Sequence, residues 1–154
     1  MEHIVTPVSA ELIPALVSSV DALFREDGGR HDDRMDLTWP RREGSAYYTA
    51  LLTDEDALCL VVRGEHGVAG HLVGRLRRHD ALHPGVVTAV LESMRVAAGE
   101  RRAGLGTALV ERFEAWAENH GADGFAVTAY AANAGALAFY RRHGFREAEV
   151  TLRR

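Results

Sequence analysis

Apolar residues recur at helical spacing near the N-terminus of the chain. Leu12, Leu16 and Val20 stand four residues apart and give one face of an amphipathic helix. Pro14 fits such a helix only in its first turn, so the helix is expected to begin near Ile13. Similar stripes and flanking turn residues predict three more helices, over about residues 42–52, 105–120 and 133–143, and a polar loop is expected at residues 27–34.

Short apolar runs between these helices predict the strands. Residues 57–63 and 68–76 flank the turn Gly64-Glu65-His66-Gly67 and form a hairpin. The order β-α-α-β-β-β-α-β-α-β predicts an α/β (α+β) fold, with a mixed, mostly antiparallel sheet flanked by helices on both faces. Further strands are expected at residues 4–5, 86–96 and 125–129, with one or two more at 145–152. The strands at 86–96 and 125–129 should run parallel and leave a cleft between their C-terminal ends.

Composition and charge narrow the class of protein. A chain of 154 residues, 47% of them hydrophobic, can bury a core and is expected to form one domain, residues 1–154. The net charge of −4 argues against a nucleic acid partner and suits a cationic small substrate. The single cysteine, Cys59, excludes an internal disulfide. No apolar stretch approaches the ~18 residues of a membrane helix and the N-terminus lacks a signal-peptide pattern, so a cytoplasmic protein without a membrane partner is expected.

The segment from Val96 to Thr107 predicts an anion site. A strand ends here, a short loop follows, and a helix begins around Gly104. Unpaired backbone N–H groups and the helix dipole attract phosphate at such a start, and Gly104 and Gly106 let it approach the main chain. Arg101 and Arg102 can add charge-assisted hydrogen bonds. The segment lacks the Gly-Lys-Ser/Thr of a nucleotide P-loop and the three-glycine dinucleotide fingerprint, and on these residues alone an ordinary loop is an equal alternative.

Short motifs follow one another in the second half of the chain. They read Glu92-Ser93-Met94-Arg95-Val96, then Arg101-Arg102-Ala103-Gly104-Leu105-Gly106, then Asn133 with Tyr140 and Gly144-Phe145. In this order they resemble the GNAT superfamily of acyl-CoA-dependent N-acetyltransferases, which carries Arg/Gln-x-x-Gly-x-Gly/Ala after its fourth strand. The resemblance covers roughly residues 86–145, whereas residues 1–56 match only in their helical layout. Arg95 departs from the family, which often has an apolar or aromatic residue there.

The resemblance implies a direct transfer in which an amine attacks the thioester of acetyl-CoA while both are bound. The backbone N–H of Val96 would polarise the thioester carbonyl, the loop from Arg101 to Thr107 would hold the pyrophosphate, and Tyr140 would protonate the departing sulfur. A homodimer is expected on the same ground, with the edge of a terminal strand at residues 148–152 available for pairing. The cofactor-binding residues implied are Met94, Arg95, Val96, Arg101, Arg102, Ala103, Gly104, Leu105, Gly106, Thr107 and Asn133.

Glu92 is the carboxylate best placed to accept a proton from the amine. In period-2 alternation it shares a face with Val90, Met94 and Val96, and apolar neighbours raise the proton affinity of a carboxylate. A primary alkylamine is mostly protonated at neutral pH, so some group must take its proton. At about 3.3 Å per residue, Glu92 lies about 13 Å along the strand from Val96, which calls for a bridging water. The alternative is a strand carboxylate paired with an arginine.

The acceptor site is expected in the first third of the chain. Residues 27–36 are rich in carboxylates, of which Asp32 and Asp33 are candidate contacts for a cationic acceptor, and Trp39 is a candidate wall. A solvated loop is the alternative for this segment. His31 is a secondary candidate for the base. His79 and His83 stand four residues apart, but the sequence Leu82-His83-Pro84-Gly85 is not typical of a helix, so no metal site is expected.

Three functions are compatible with these residues. The leading hypothesis is an enzyme that acetylates a primary amine of a small molecule, such as an antibiotic or a polyamine. A protein lysine or N-terminal acetyltransferase is the alternative within the class. A non-catalytic acyl-CoA-binding module is the alternative outside it, and such a module would not need an acid at Tyr140.

Overall fold

A computed structural model of the protein describes residues 4–101 and 104–154, and its centre is a five-stranded sheet. The strands lie in the order β1-β2-β3-β4-β5. The first three neighbouring pairs are antiparallel, and β4 and β5 are parallel. The expected mixed, mostly antiparallel sheet is confirmed. The strand bounds are β1 Ile4–Pro7, β2 Ala57–Gly64, β3 Gly67–Arg77, β4 Thr88–Val96 and β5 Gly124–Val127.

Helices cover both faces of the sheet, because alternate strand residues are apolar on each side. On one face, Val61 and Val73 pack in a core with Leu16 and Val20 of the first helix. On the other face, Leu60 and Leu72 belong to a second core with residues of the third helix and, at its edge, the fourth. The helix bounds are α1 Ile13–Leu23, α2 Trp39–Leu51, α3 Leu105–Asn119 and α4 Ala134–Arg142.

The prediction of a polar loop at residues 27–34 is wrong for the first half of that segment. α1 runs directly into a π-helical turn, Phe24–Gly28, and a further α turn, Gly29–His31. The glycine pair does not break the helix, since both residues keep helical φ angles near −60°. Gly28 instead lies against Met35, and a Cβ at this position would overlap the sulfur of Met35 unless that side chain moved.

The second helix begins three residues earlier than its pattern indicated. Pro40 lies in the first turn of α2, where its fixed φ suits a helix and its missing N–H costs nothing. Trp39 therefore starts this helix and does not belong to the preceding loop.

The terminal strands expected at residues 145–152 are wrong. Residues 145–154 are described throughout, and none of them is in a strand. Val150 is 78% exposed and Leu152 is 89% exposed. Their alternation with polar residues is typical of a strand, but a period-2 pattern does not supply the partner edge that a ladder requires.

Candidate active site

A gap opens in the sheet where β5 ends and β4 continues. The last ladder pair of the two parallel strands joins Leu91 to Val127. β4 runs on to Val96, so its edge over residues 92–96 is not covered by β5. The cleft expected between the C-terminal ends of these strands is assigned to this uncovered edge of β4.

An extra residue interrupts β4 at the start of this gap. Val73 of β3 lies opposite Ser93, whereas the next residue, Gly74, lies opposite Leu91. Glu92 thus has no partner of its own, which is the pattern of a β-bulge. Because the bulge shifts the alternation, Glu92 and Ser93 both face α1 and α2.

The expected position of Glu92 is corrected by this bulge. Met94 packs against the core under α3 and α4, on the opposite face of the sheet, so Glu92 does not share its face. The surroundings of the carboxylate are polar. Tyr47 of α2 donates its hydroxyl proton to the two oxygens of Glu92 at 2.9 and 3.1 Å, and Nη1 of Arg75 lies 3.8 Å from Oε1. With 33% of its side chain exposed, Glu92 is both the arginine-paired carboxylate of the alternative and a group that solvent can reach.

Main-chain groups at the end of β4 point into the gap. The Ala97 N–H donates to the carbonyl of Ala69 at 2.7 Å, and hydrogen bonding alternates along an antiparallel pair. Val96, opposite Gly70, therefore turns its own N–H and C=O away from β3. The outward carbonyl accepts a hydrogen bond from Nε of Arg101 at 3.1 Å. The Val96 N–H points the same way, toward the space that a carbonyl oxygen would occupy.

The start of α3 lies beside this gap. Gly104 is the N-cap residue and has a φ of 81°, in the left-handed region that glycine adopts without strain. Leu105 is buried in the core, so only its main chain can serve a ligand. Thr107 is exposed and is hydrogen-bonded through Oγ1 to Nε2 of His143 at 3.3 Å. Two residues of the expected phosphate loop, Arg102 and Ala103, lie outside the described residues.

Gly106 joins three elements in close packing. A Cβ at this position would lie 3.0 Å from the ring of Phe139 in α4 and 3.3 Å from the methyl group of Met94 in β4. The sequence suggested that this glycine keeps space for a phosphate. Its contacts show a second requirement, because it lets α4 pack against the end of β4.

Arg95 lies on the face of the sheet away from Met94. Its Nε and Nη2 donate to the two carboxylate oxygens of Glu26 at 3.0 and 2.7 Å. This hydrogen-bonded pair lowers the pKa of Glu26. The side chain that departs from the family pattern therefore anchors the end of α1 to β4.

Asn133 connects the fourth helix with the first. Its Oδ1 accepts the N–H of Ala136 at 3.0 Å and so caps α4, as the sequence predicted. Its Nδ2 donates to Oδ1 of Asp27 at 3.0 Å, in the π-helical turn after α1. One side chain thus fixes the helix that carries Tyr140 to the other side of the gap.

Tyr140 lies partly buried on α4 among aromatic rings. Its ring centroid is 5.5 Å from that of Phe139 and 5.8 Å from that of Phe145. Among the described residues, no group is hydrogen-bonded to its hydroxyl. Burial, together with the charge of Asp27, raises the pKa of Tyr140 to about 12, so the hydroxyl keeps its proton at neutral pH.

The three candidate acceptor residues lie in different surroundings. Asp32 accepts the N–H of Arg34 at 3.1 Å, and Nη1 of Arg153 in the tail lies 3.5 Å from it. Asp33 is exposed to solvent. Trp39 stacks on Phe24 with ring centroids 5.8 Å apart and, with Tyr47, lines a shallow surface hollow on α2. The structure does not bring these three side chains together.

A buried polar chain that the sequence analysis missed lies behind the bulge. His71 of β3 is fully buried, with Nδ1 hydrogen-bonded to Ser19 of α1 at 2.6 Å and Nε2 to Ser93 at 2.8 Å. Burial, together with the charge of Arg95, lowers the pKa of His71 to about 3, so the imidazole is neutral. A histidine at an inward position of an apolar strand was the available signal.

The described residues show no arrangement that suits a metal ion or a membrane span. No three His, Cys, Asp or Glu side chains among residues 4–101 and 104–154 are grouped as a metal ion requires. None of the described helices is long and apolar enough to cross a membrane.

Comparison with known proteins gives matches to one family and one fold. A model of the acetyltransferase (GNAT) family matches residues 20–145, and no curated protein matches the sequence. A variant of the BH1408 protein from Bacillus halodurans has a TM-score of 0.86 at 18% identity, covering 97% of both chains. The aminoglycoside 6'-N-acetyltransferase AAC(6')-IG from Acinetobacter haemolyticus has a TM-score of 0.76 at 21% identity, covering 97% of this chain and 95% of that one. AAC(6')-Iy, in complex with the bisubstrate analogue CoA-S-monomethyl-acetylneamine, has a TM-score of 0.80 at 15% identity, covering 100% and 97%. At these identities the structural likeness establishes the fold.

Proposed function

This chain belongs to the acetyltransferase (GNAT) family, whose members are acetyl-CoA-dependent N-acetyltransferases, and we propose that it acetylates a primary amine of a small cationic molecule by direct transfer. The observation that carries the proposal is the uncovered edge of β4 over residues 92–96. This edge lies beside the glycine-containing start of α3 and is packed against the helix of Tyr140 through Phe139.

We assign the donor, acetyl-CoA, to the gap between β4 and β5. The Val96 N–H suits the thioester carbonyl, because it points away from β3 and into the gap. The carbonyl of the same residue points the same way and accepts a hydrogen bond from Nε of Arg101. The open main chain at Gly104 and the positive end of α3 suit a pyrophosphate, with Arg101 at the mouth of the gap. Met94, Gly106 and the rest of this surface are proposed to contact the donor chiefly through backbone and apolar atoms.

The proposed step forms one bond and breaks another. The amine nitrogen attacks the thioester carbon, and the C–S bond breaks when the tetrahedral intermediate collapses. The Tyr140 hydroxyl donates its proton to the departing sulfur, which its high pKa permits because the phenol is neutral beforehand. Glu92 takes a proton from the ammonium group through water. Of the two protons that nitrogen loses, one restores Tyr140 and the other leaves to solvent.

We propose a small cationic acceptor because carboxylates border the gap on the side of α1. Asp27 and Asp32 both lie near Tyr130, in the connection between β5 and α4, since burial and then the charges of these two aspartates raise the pKa of Tyr130. The charge of Asp27 also acts on Tyr140. Asp33 would add only a long-range field, because its side chain is exposed. Trp39, on the far side of Tyr47, is proposed as an outer wall.

We also propose that residues 1–154 form one acetyltransferase domain that works in the cytoplasm as a homodimer. Val150 and Leu152 are exposed apolar residues in the tail, and Phe125 is partly exposed on the edge strand β5. Burying such residues between two copies removes apolar surface from water. Light scattering at micromolar concentration tests the assembly, and a monomer would refute it.

A panel of acceptors tests the reaction. Free thiol release from acetyl-CoA is followed with aminoglycosides, polyamines, amino acids and peptides, and acetylated products are identified by mass spectrometry. We expect turnover with a small polycationic amine. Turnover confined to peptides would favour a protein acetyltransferase. Tight CoA binding with no turnover across the panel would favour a binding module.

A further inference from the structure

Asp27 differs from the other partly buried carboxylates near the end of α1. Asp21 has Arg25 at 3.1 Å, and Glu26 has Arg95 at 2.7 Å. Among the residues that the structure describes, Asp27 has no arginine within 4 Å, and its nearest ionisable partner is Nε2 of His31 at 3.6 Å. A carboxylate that is partly withdrawn from water loses hydration, which a counter-charge or hydrogen-bond donors must replace.

The Asp27 carboxylate is nevertheless held firmly in place. It lies in the π-helical turn Phe24–Gly28, and such turns occur frequently at functional sites. Oδ1 accepts the Nδ2–H of Asn133 at 3.0 Å and also faces His31. Oδ2 has no hydrogen-bond partner among the described residues. A carboxylate can accept hydrogen bonds at both oxygens, so Oδ2 of Asp27 is available to a ligand. The side chain is 28% exposed, so a ligand can reach it from solvent.

This free oxygen lies beside the groups assigned to the reaction. Asn133 caps the helix of Tyr140, and the charge of Asp27 acts on the Tyr140 hydroxyl. The same side of the gap already attracts a cation, because the guanidinium of Arg153 lies 3.5 Å from Asp32. A positively charged group at Asp27 would therefore lie next to both the donor helix and the proton donor.

We propose that Asp27 binds an ammonium group of the acceptor through Oδ2, while Asn133 holds the carboxylate in place. The proposal rests on the function proposed above and names the residue that selects a cationic acceptor. The arrangement favours an alkylammonium group over a neutral amine or an anion. Only a cation adds charge attraction to a hydrogen bond with the partly buried carboxylate. The proposal also gives a function to the hydrogen bond from Asn133 to Asp27, which joins α4 to the turn after α1.

The test compares Asp27→Asn with a matched control. Asparagine keeps an oxygen that can accept from Asn133, so the contact to α4 and the shape of the turn are retained while the charge is lost. Glu118→Gln removes one negative charge from the exposed end of α3, away from the gap. Binding of spermine and of sisomicin is measured by calorimetry with CoA present, alongside CoA affinity and the melting temperature.

We expect Asp27→Asn to weaken binding of the cationic probes about 10–100-fold, as for a lost hydrogen bond to a charged group. CoA affinity and melting temperature should stay at wild-type values in both variants, and Glu118→Gln should bind the probes as the wild type does. Unchanged probe affinity in Asp27→Asn, or no probe binding by the wild type, would overturn the proposal.

A turnover measurement separates this proposal from the proposed function. Where the wild type acetylates a panel amine, Asp27→Asn should raise KM for that amine more than it lowers kcat. A lower kcat at unchanged KM would mean that Asp27 acts only through Tyr140, and would refute the binding role while the acetyltransferase stands. Loss of probe binding in Asp27→Asn, with no acetylation by the wild type, would support the cation site and refute the reaction.

Discussion

Acidification should destabilise this protein through His71. The imidazole is fully buried between Ser19 and Ser93, and burial lowers its pKa to about 3, whereas an unfolded chain has a histidine pKa of about 6.5. Between these two values the unfolded chain binds a proton that the folded protein does not. Stability therefore falls as the pH drops through about 6.5 toward 3.

The size of the effect follows from the two pKa values. Between pH 7 and pH 5, protonation of the unfolded state shifts the unfolding equilibrium by a factor of about 25. This factor corresponds to a loss of about 2 kcal/mol of unfolding free energy. Urea unfolding at both pH values measures this difference. In His71→Gln, which places a non-titrating amide near Ser93, the loss between pH 7 and pH 5 should be about 2 kcal/mol smaller than in the wild type.

The control for this experiment is another histidine. His66 is exposed in the turn between β2 and β3, so His66→Gln should keep the wild-type pH dependence. An NMR titration of the folded wild type checks the same point without a variant, and His71 should remain neutral down to pH 5. A His71 resonance that titrates near 6.5, or equal pH losses in wild type and His71→Gln, would refute the reasoning.

Four further substitutions test the residues around the gap. Gly104→Val should abolish CoA binding in calorimetry, because valine is strained at a φ of 81°, and wild-type affinity would remove this loop from the site. Gly106→Val should lower both CoA affinity and the melting temperature, since the valine side chain would collide with Phe139. A Gly106→Val protein of full thermal stability would contradict this packing role. Arg101→Ala should weaken CoA binding only moderately. Glu92→Gln should lower kcat by about 10²–10⁴-fold at saturating amine if this carboxylate takes the proton, and an unchanged pH–rate profile would assign that role elsewhere.

Much of the fold followed from periodicity and turn residues. The hairpin around His66, the parallel pair β4 and β5 and the Asn133 cap were predicted from the sequence and are present in the structure. Each of these depends on residues close in sequence or on a simple connection between neighbouring elements.

The features that sequence reasoning missed depend on contacts between distant segments. The bulge at Glu92 is a register shift against β3, and alternation along β4 alone cannot reveal it. The helical turn through Gly28 packs closely against Met35, which follows in the next loop. The tail has the pattern of a strand but no ladder partner among the described residues, and His71 acquires its role from Ser19, 52 residues away.

The rate of acetyl transfer in a single turnover tests the central claim most directly. Tyr140→Phe keeps the ring and its contacts with Phe139 and Phe145 but removes the proton that would reach sulfur. With enzyme in excess over acetyl-CoA and a saturating amine, rapid quenching should show transfer slowed by about 10²–10⁴-fold. CoA affinity and melting temperature should be unchanged, and the wild type should form amide and free thiol together without an acetylated protein. An unchanged rate in Tyr140→Phe, or an acetylated protein intermediate in the wild type, would contradict the account.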